Sequence, residues 1–442
     1  MSNNSRFTWD EAKMIANQIL KEKYGLMNAL EIAILQAVWN HEDYDQVARK
    51  EFKDYTHIRG VASKLWKKLS DIWGVKVTRT KVINGLEQEW LKSQNTKFIS
   101  DGGDNNLILE SPDDGPVGLN SGFYVVRGYT ETDCYQQIEK SGALLRIKAP
   151  SKMGKTSLLI RILHHAEEQD YEIVRLNLRD TGVSILENKS DFLKWFFESI
   201  CEQLDLDYQW IESLDFTESK CKLKFQVKIL KEIQKPMVLI LEELEQVFPY
   251  TETVTIFSSL LRSWHEESKK MEIWKKLRMV LLYSTNIYVK LPDKQSPFNV
   301  GVPVDLTEFN SKAVQDLAVR HQLKLTENQI NQLMTIIGGF PYLVRLAFYR
   351  LARQEITFEQ LLTTASRDDG IYGHYLRNHW ADLQDNIELK IAFKEAIMSD
   401  DPVKFEQIVE FKLLATSLVK YEGNSLIPSC NLYRDYFREK FL

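Results

Sequence analysis

Apolar residues recur at helical spacing from Phe7 to about Trp90. Ala12, Ile15, Ala16, Ile19 and Leu20 fall on one stripe, and residues 30–39 form a second apolar helix. From Gly122 the pattern changes to short apolar runs separated by helical stretches. Residues 144–147, 173–178, 237–241 and 279–284 read as strands of the largely buried type, and their alternation with helices predicts a parallel sheet flanked by helices. Residues 311–364 return to helical periodicity, interrupted by Gly338-Gly339-Phe340-Pro341. In the tail, apolar residues alternate on either side of Gly423-Asn424, which predicts a hairpin and, with the helices before it, a winged helix.

These patterns divide the chain into a helical domain (1–92), a linker (93–121), an α/β core (122–305), a helical lid (306–369) and a winged-helix domain (370–442). The linker reading rests on Ser100-Asp101-Gly102-Gly103-Asp104-Asn105-Asn106 and Ser111-Pro112-Asp113-Asp114-Gly115-Pro116, which offer little to pack. A chain of 442 residues has room for several such domains.

The strand at 144–147 runs into Ala149-Pro150-Ser151-Lys152-Met153-Gly154-Lys155-Thr156, and Ser157 then opens an apolar helix. Strand, tight loop and helix in this order form a P-loop, a cradle for a nucleoside triphosphate. Backbone N–H groups and the helix N-terminus face the phosphates, Lys155 reaches the β/γ oxygens and Thr156 ligates Mg²⁺. Ala149 stands where the general motif has glycine, and its Cβ narrows the conformations open to the start of the loop.

A second element follows in Val238-Leu239-Ile240-Leu241-Glu242-Glu243, a buried strand ending in two acids that resembles a Walker B motif. Glu242 is expected to hold Mg²⁺ through its water shell, and Glu243 to orient or deprotonate the attacking water. The alternative reading is an acidic cap after a core strand. Aspartate is common at the position of Glu242; the added methylene changes the reach of the carboxylate, so binding is a firmer expectation than turnover. Ser284 and Thr285 end a third strand, where they are candidate γ-phosphate sensors or ordinary strand-end polar residues. Arg262 is a candidate arginine finger acting across a subunit boundary, with a solvated surface arginine as the alternative.

Three segments together resemble the bacterial AAA-like domain of P-loop ATPases related to AAA+ and STAND proteins. They are Phe123-Tyr124-Val125-Val126-Arg127-Gly128, the loop with its flanks (147–158), and Gly338-Gly339-Phe340-Pro341-Tyr342-Leu343-Val344. That family also carries alanine before proline in its loop, so Ala149 fits it, whereas Glu242 departs from the family's aspartate. The resemblance implies that Phe123 to Tyr129, with Tyr124 and Arg127, lie near the adenine, that Pro341 approaches the nucleotide from the lid, where an interhelical turn made by Gly338, Gly339 and Pro341 is the alternative, and that the winged helix senses nucleotide state.

At the other end of the chain, residues 44–50 and 57–70 read as two helices joined by a short turn, a helix-turn-helix. Val61, Leu65 and Leu69 line one face of the second helix. Lys64, Lys67 and Lys68 cluster on another, with Lys53, Arg59, Lys76, Arg79 and Lys81 around them. Arg59, Lys64, Lys67 and Lys68 are candidate DNA contacts, and a solvated face of a protein-interaction module is the alternative. The segment resembles the helix-turn-helix at the N-terminus of proteins associated with von Willebrand-A/MoxR systems, where it precedes varied effector or switch domains.

Composition narrows the remaining classes. A net charge of -5 gives no global attraction to nucleic acid or anionic membranes. Neither a membrane-spanning run nor a signal-peptide core is present, which points to the cytoplasm. The four cysteines lack metal-ligand spacing, and the eight histidines form no catalytic spacing. The expected function is an ATP-binding, ATP-hydrolysing STAND/AAA-type switch that controls oligomerisation or recruitment of an effector protein, in a bacterial defence setting. Two alternatives remain open: a DNA-binding regulator or transposition-type helper, and a non-hydrolysing P-loop scaffold.

Overall fold

The computed structural model describes residues 8–40, 42–73, 77–79, 82–83, 85–86, 109–284 and 296–442. The chain divides into two compact units, Met1–Asn106 and Leu107–Leu442.

In the first unit helices α1 (Trp9–Tyr24), α2 (Ala29–Trp39), α3 (Tyr44–Lys50) and α4 (Tyr55–Trp73) bury a core that includes Ile15, Leu20, Ile34, Leu35, Ile58, Leu65 and Leu69. Their starts are written in the sequence. Thr8 with Glu11, Asn28 with Glu31, and Asp43 with Gln46 each form a reciprocal capping box that satisfies backbone donors at a helix N-terminus. The turn between α3 and α4 ends at Asp54, whose Oδ1 accepts from the Thr56 N–H at 2.7 Å.

The second unit opens with α5 (Thr130–Glu139), β1 (Leu144–Lys148), α6 (Lys155–Glu168) and β2 (Glu172–Asn177). It continues through α7 (Val183–Glu187), α8 (Lys189–Leu204), α9 (Glu218–Phe225), β3 (Met237–Glu242), α10 (Thr251–Glu267), β4 (Leu277–Tyr283) and β5 (Val302–Asp305). The strands form one sheet in the order β2-β3-β4-β1-β5, every pair parallel.

Strands β3 and β4 are buried along their whole length, as continuous apolar runs in a doubly covered sheet should be. Their side chains alternate between two cores. Val238, Ile240, Val280 and Leu282 face the core that includes α6, whereas Leu239, Leu241, Met279 and Leu281 face an aromatic core of Phe192, Phe196, Phe197, Phe225, Phe257, Trp264 and Trp274. The edge strand β5 was not legible in the sequence, because it is short, only half buried and contains Pro303, which an edge position tolerates.

Helices α11 (Ser311–Arg320), α12 (Glu327–Ile337), α13 (Pro341–Ala352) and α14 (Phe358–Thr364) follow the sheet. The tail comprises α15 (Gly373–Gln384), α16 (Ile387–Met398), α17 (Gln407–Ala415), the antiparallel hairpin β6 (Val419–Glu422) and β7 (Ser425–Pro428), and α18 (Asn431–Phe441). Gly423 turns the hairpin at φ 60°, a left-handed conformation that suits glycine. Val403 adds an isolated bridge to Leu426. Phe340, Leu343, Leu376, Phe393, Tyr433 and Phe437 share one core with Leu145, Ile147 and Leu158, so lid, tail and the P-loop side of the sheet pack as one body.

The expected linker 93–121 is corrected in part. Its first portion, 93–108, lies outside the described residues. Residues 109–121 are structured against the second unit, where Leu109 packs on the core and Pro112 is buried. Side chains of the α/β core take up the backbone of this turn-rich stretch: the Arg161 guanidinium donates to the carbonyls of Val117 (3.0 Å) and Gly118 (2.9 Å), and the Val117 N–H donates to Ser157 Oγ (2.9 Å). A composition that cannot form its own core is here ordered by its neighbours.

Candidate functional site

The loop from Ala149 to Gly154 joins β1 to α6. Two of its residues adopt left-handed backbone, Lys152 at φ 62° and Gly154 at φ 98°. Gly154 caps α6 without a side-chain hydrogen bond, which leaves the first N–H groups of the helix facing the concave side of the loop. Lys155 Nζ donates to the Ala149 carbonyl at 2.7 Å and to that of Pro150 at 3.2 Å, so the ammonium is folded back over its own loop. Burial pushes the Lys155 pKa down, while Glu245 and Glu243 hold it up.

A cavity of about 310 Å³ opens over this loop. Ser151, Lys152, Gly154, Lys155, Thr156 and Ser157 line it, together with Glu243, Tyr124, Arg127 and Pro341. Of the remaining loop residues expected at the ligand, Ala149 and Met153 are buried and help pack the core, and Pro150 contributes its carbonyl to Lys155.

The cavity also takes residues that sequence reasoning missed. Pro112, Asp113, Gly115, Pro116 and Val117 line it from the 109–121 segment, and Phe309, Tyr342 and Arg345 from the lid. Tyr342 and Arg345 lie on the turn that begins at Pro341, a position that hinted at them; nothing in the linker-like composition of 112–117 did.

Arg127 organises the cavity from one side. It donates through Nη1 to the Thr307 carbonyl at 2.6 Å and through Nη2 to the Met153 carbonyl, and its guanidinium lies 4.9 Å from the Phe309 ring. The Tyr124 hydroxyl donates to Glu131 Oε1 at 2.6 Å, and the Arg161 guanidinium sits 3.2 Å from the Tyr124 ring. Burial and Glu131 push the Tyr124 pKa up, so its hydroxyl stays a donor. On the opposite side Lys152 places its ammonium 3.6 Å from the Tyr342 ring and 5.4 Å from that of Tyr375, tying the loop to α13 and α15. The Gly339 backbone lies so close to Phe309 that a Cβ would fall 1.9 Å from the Phe309 carbonyl oxygen, and the Phe309 N–H donates to the Gly339 carbonyl at 2.7 Å.

The two acids at the end of β3 separate. Glu242 is buried, and its Oε1 accepts from Arg175 Nε on β2. Alternation keeps it on the face of Val238 and Ile240, the face that α6 covers, but it does not line the cavity and its carboxylate is engaged in an ion pair within the sheet. Glu243 adopts a left-handed backbone at φ 54°, and this turn brings it into the cavity lining. Its pKa is raised by burial and then by Glu245.

Sheet order places β4 between β3 and the P-loop strand, and Ser284 follows the last residue of β4, Tyr283. The Ala149 N–H faces the Tyr283 carbonyl at 3.5 Å, so Ser284 lies beside the loop; its hydroxyl donates to Glu245 Oε1 at 2.5 Å. Glu245 Oε2 is buried with no hydrogen-bond partner among the described residues. Glu243 and Thr156 line the same cavity, and oxygen groups of this kind suit a hard cation such as Mg²⁺. Thr285 lies outside the described residues, as do Lys76 and Lys81. Arg262, on α10, donates to Glu266 Oε1 (2.6 Å), Asn299 Oδ1 (2.6 Å) and the Ser296 carbonyl (3.3 Å), all in its own chain.

In the first unit Arg59, Lys64 and Lys67 are exposed on α4. Lys68 is half buried and donates to Glu31 Oε1 at 2.7 Å, so the structure gives it a partner inside the unit.

A parallel sheet whose first strand runs through a phosphate-cradling loop into a helix defines a P-loop nucleotide-binding fold. Residues 112–439 match the AAA-like domain family, and the chain belongs to it. Residues 7–89 match the N-terminal helix-turn-helix of vWA-MoxR associated proteins. Among solved structures, a Walker-type ATPase of Pyrococcus abyssi is similar over 73% of this chain and 98% of its own, at 11% identity and a TM-score of 0.50, a likeness of fold. Cdc6p from Pyrobaculum aerophilum (15% identity, 74% of this chain and 100% of that one, TM-score 0.38) also matches. So does a STAND protein with a tetratricopeptide repeat sensor from Pyrococcus horikoshii (14%, 76% and 44%, 0.31). No curated protein sequence matches the chain. Among the described residues no helix is long and apolar enough to cross a membrane.

Proposed function

We propose that the chain is an ATP-operated switch of the AAA/STAND type, acting in the cytoplasm, that controls its own assembly or the recruitment of an effector protein in a bacterial defence system. One observation carries the reading: a single cavity is lined by the P-loop, by the 112–117 segment and by the lid turn at Pro341 and Tyr342. A ligand filling it bears on three separate parts of the chain at once, and its contacts differ between an open and a closed lid.

In this reading Lys155 and the N-terminus of α6 hold the phosphates, Thr156 holds Mg²⁺, and Glu243 orients the water that attacks the γ-phosphate. Bound Mg²⁺ would neutralise phosphate charge and polarise the γ-phosphoryl oxygens. The lid (306–369) and the tail (370–442), acting as a winged helix, respond to what occupies the cavity.

The test is mass photometry of the purified chain without nucleotide, with ADP-Mg²⁺ and with ATP-Mg²⁺, alongside phosphate release. ATP-dependent assembly lost in Lys155→Ala and trapped in Glu243→Gln supports the switch. An unchanged mass, proteolysis pattern and melting temperature in every nucleotide state would overturn it.

A second reading is favoured by the exposure of Arg59, Lys64 and Lys67 along one helix of a helix-turn-helix unit. The first unit then binds DNA, with affinity that falls steeply with salt. Loss of salt-dependent binding in Lys64→Glu/Lys67→Glu supports it, and unchanged affinity sinks it.

A further inference from the structure

The acid that the sequence assigns to Mg²⁺ is committed elsewhere. Glu242 has its carboxylate on Arg175 of the neighbouring strand, and neither it nor Glu245 is among the residues lining the cavity. Three residues further on, Glu245 has the opposite situation. It sits on the turn after β3, near enough to Lys155 to hold that ammonium's pKa up; its Oε1 takes the Ser284 hydroxyl at 2.5 Å, and its Oε2 is buried with no hydrogen-bond partner among the described residues.

The contacts around it run directly to the phosphate loop. Ser284 follows Tyr283, whose carbonyl faces the Ala149 N–H, and the Ala149 carbonyl in turn accepts from Lys155 Nζ. A buried carboxylate oxygen with no donor is costly unless something arrives to use it.

We propose that Glu245 is the positioning residue for the Mg²⁺-nucleotide in this site: it fixes the Ser284 hydroxyl through Oε1 and receives a water of the hydrated cation through Oε2, while Glu242 only anchors β3 to β2. The proposal rests on the nucleotide-binding reading above. It moves the outer-sphere acid from the end of the strand onto the following turn, and it makes Glu242 tolerable at a position where a shorter acid is usual, because no metal geometry depends on it there.

The experiment is calorimetric titration of the full chain with the non-hydrolysable analogue AMPPCP, once in MgCl₂ and once in EDTA. The readout is the ratio of the two Kd values, which a purely structural role would not move. In Glu245→Gln the ratio is expected to fall by about tenfold or more, since removing a second-shell partner weakens metal affinity on that scale. Glu242→Gln is expected to keep the wild-type ratio while melting at a lower temperature. Should Glu245→Gln melt early, Glu245→Asp, which keeps the charge but shortens its reach, is titrated instead and is expected to lose the ratio as well. A ratio retained in the Glu245 variants, or lost in Glu242→Gln, overturns the proposal. So does a wild type that binds AMPPCP equally in both buffers. A wild type that binds AMPPCP in neither buffer refutes the nucleotide site itself.

Discussion

Tyr342 donates its hydroxyl to Asp113 Oδ1 across 2.7 Å and so joins the first turn of the lid helix α13 to the segment that closes the other side of the cavity. The same ring carries the Lys152 ammonium 3.6 Å away, which links the P-loop to the same point. Tyr342→Phe removes only the first of these contacts, because phenylalanine keeps the ring. The expected cost is about 1 kcal/mol, the ordinary net worth of one hydrogen bond. Hydrogen exchange should quicken at residues 109–121 and not in β3 or β4. Unchanged exchange in 109–121 would show that Arg161 and Ser157 hold the segment without help from the lid.

Glu243 is held where its charge is expensive. Its pKa is raised by burial and by Glu245, so between its unfolded value near 4.5 and the higher folded value the native state holds more protons than the unfolded chain. Stability therefore falls as pH rises through that window, and above it the full penalty applies. Glu243→Gln is expected to melt higher than wild type at pH 7–8, with the difference shrinking towards pH 4.5. A gain independent of pH would assign the effect to something other than the charge.

His321 carries the reverse dependence. It is 1% exposed, with Nδ1 2.8 Å from the Leu317 carbonyl and its ring 4.4 Å from that of Phe123. Burial lowers its pKa to about 4 from 6.5. The folded chain then binds fewer protons than the unfolded one between these values, so this contribution is complete above pH 6.5 and is lost as pH falls towards 4. The shift corresponds to about 3 kcal/mol at most. His321→Gln should flatten the pH dependence of denaturant stability between pH 4 and 6.5. A wild-type slope in the variant would place the acid sensitivity on another group.

Much of this site could be read from the chain because its chemistry is local. A buried strand, a tight loop and a helix follow one another at Ala149 to Ser157, and their backbone alone makes the cradle. What escaped was set by partners distant in sequence. Glu242 and Glu243 look equivalent as letters, and only the pairing of β2 with β3 brings Arg175 onto one of them. Glu245 reads as one more acid after a strand until the sheet order places Ser284 beside it. The composition of 109–121 reads as a linker because its order comes from Arg161, Ser157 and Tyr342 and not from apolar residues of its own. Helix starts, by contrast, depend on partners three residues apart, such as Thr8 with Glu11 and Asn28 with Glu31.

Lys64, Lys67 and Lys68 form one basic cluster in sequence but separate in structure, and the separation can be measured. Lys64 and Lys67 are exposed, whereas Lys68 neutralises Glu31, whose side chain is only 6% exposed. Reversing Lys68 leaves that carboxylate buried beside a second negative charge, a loss worth more than a surface pair because the remaining acid cannot be solvated. Lys68→Glu is therefore expected to lower the melting temperature of the first unit, while Lys64→Glu/Lys67→Glu leaves it within a degree or so, as surface substitutions do. Glu31→Gln combined with Lys68→Met, which removes both charges together, should recover most of the loss. If Lys68→Glu melts like the wild type, the pair with Glu31 contributes nothing, and Lys68 rejoins Lys64 and Lys67 as a candidate for phosphate contact.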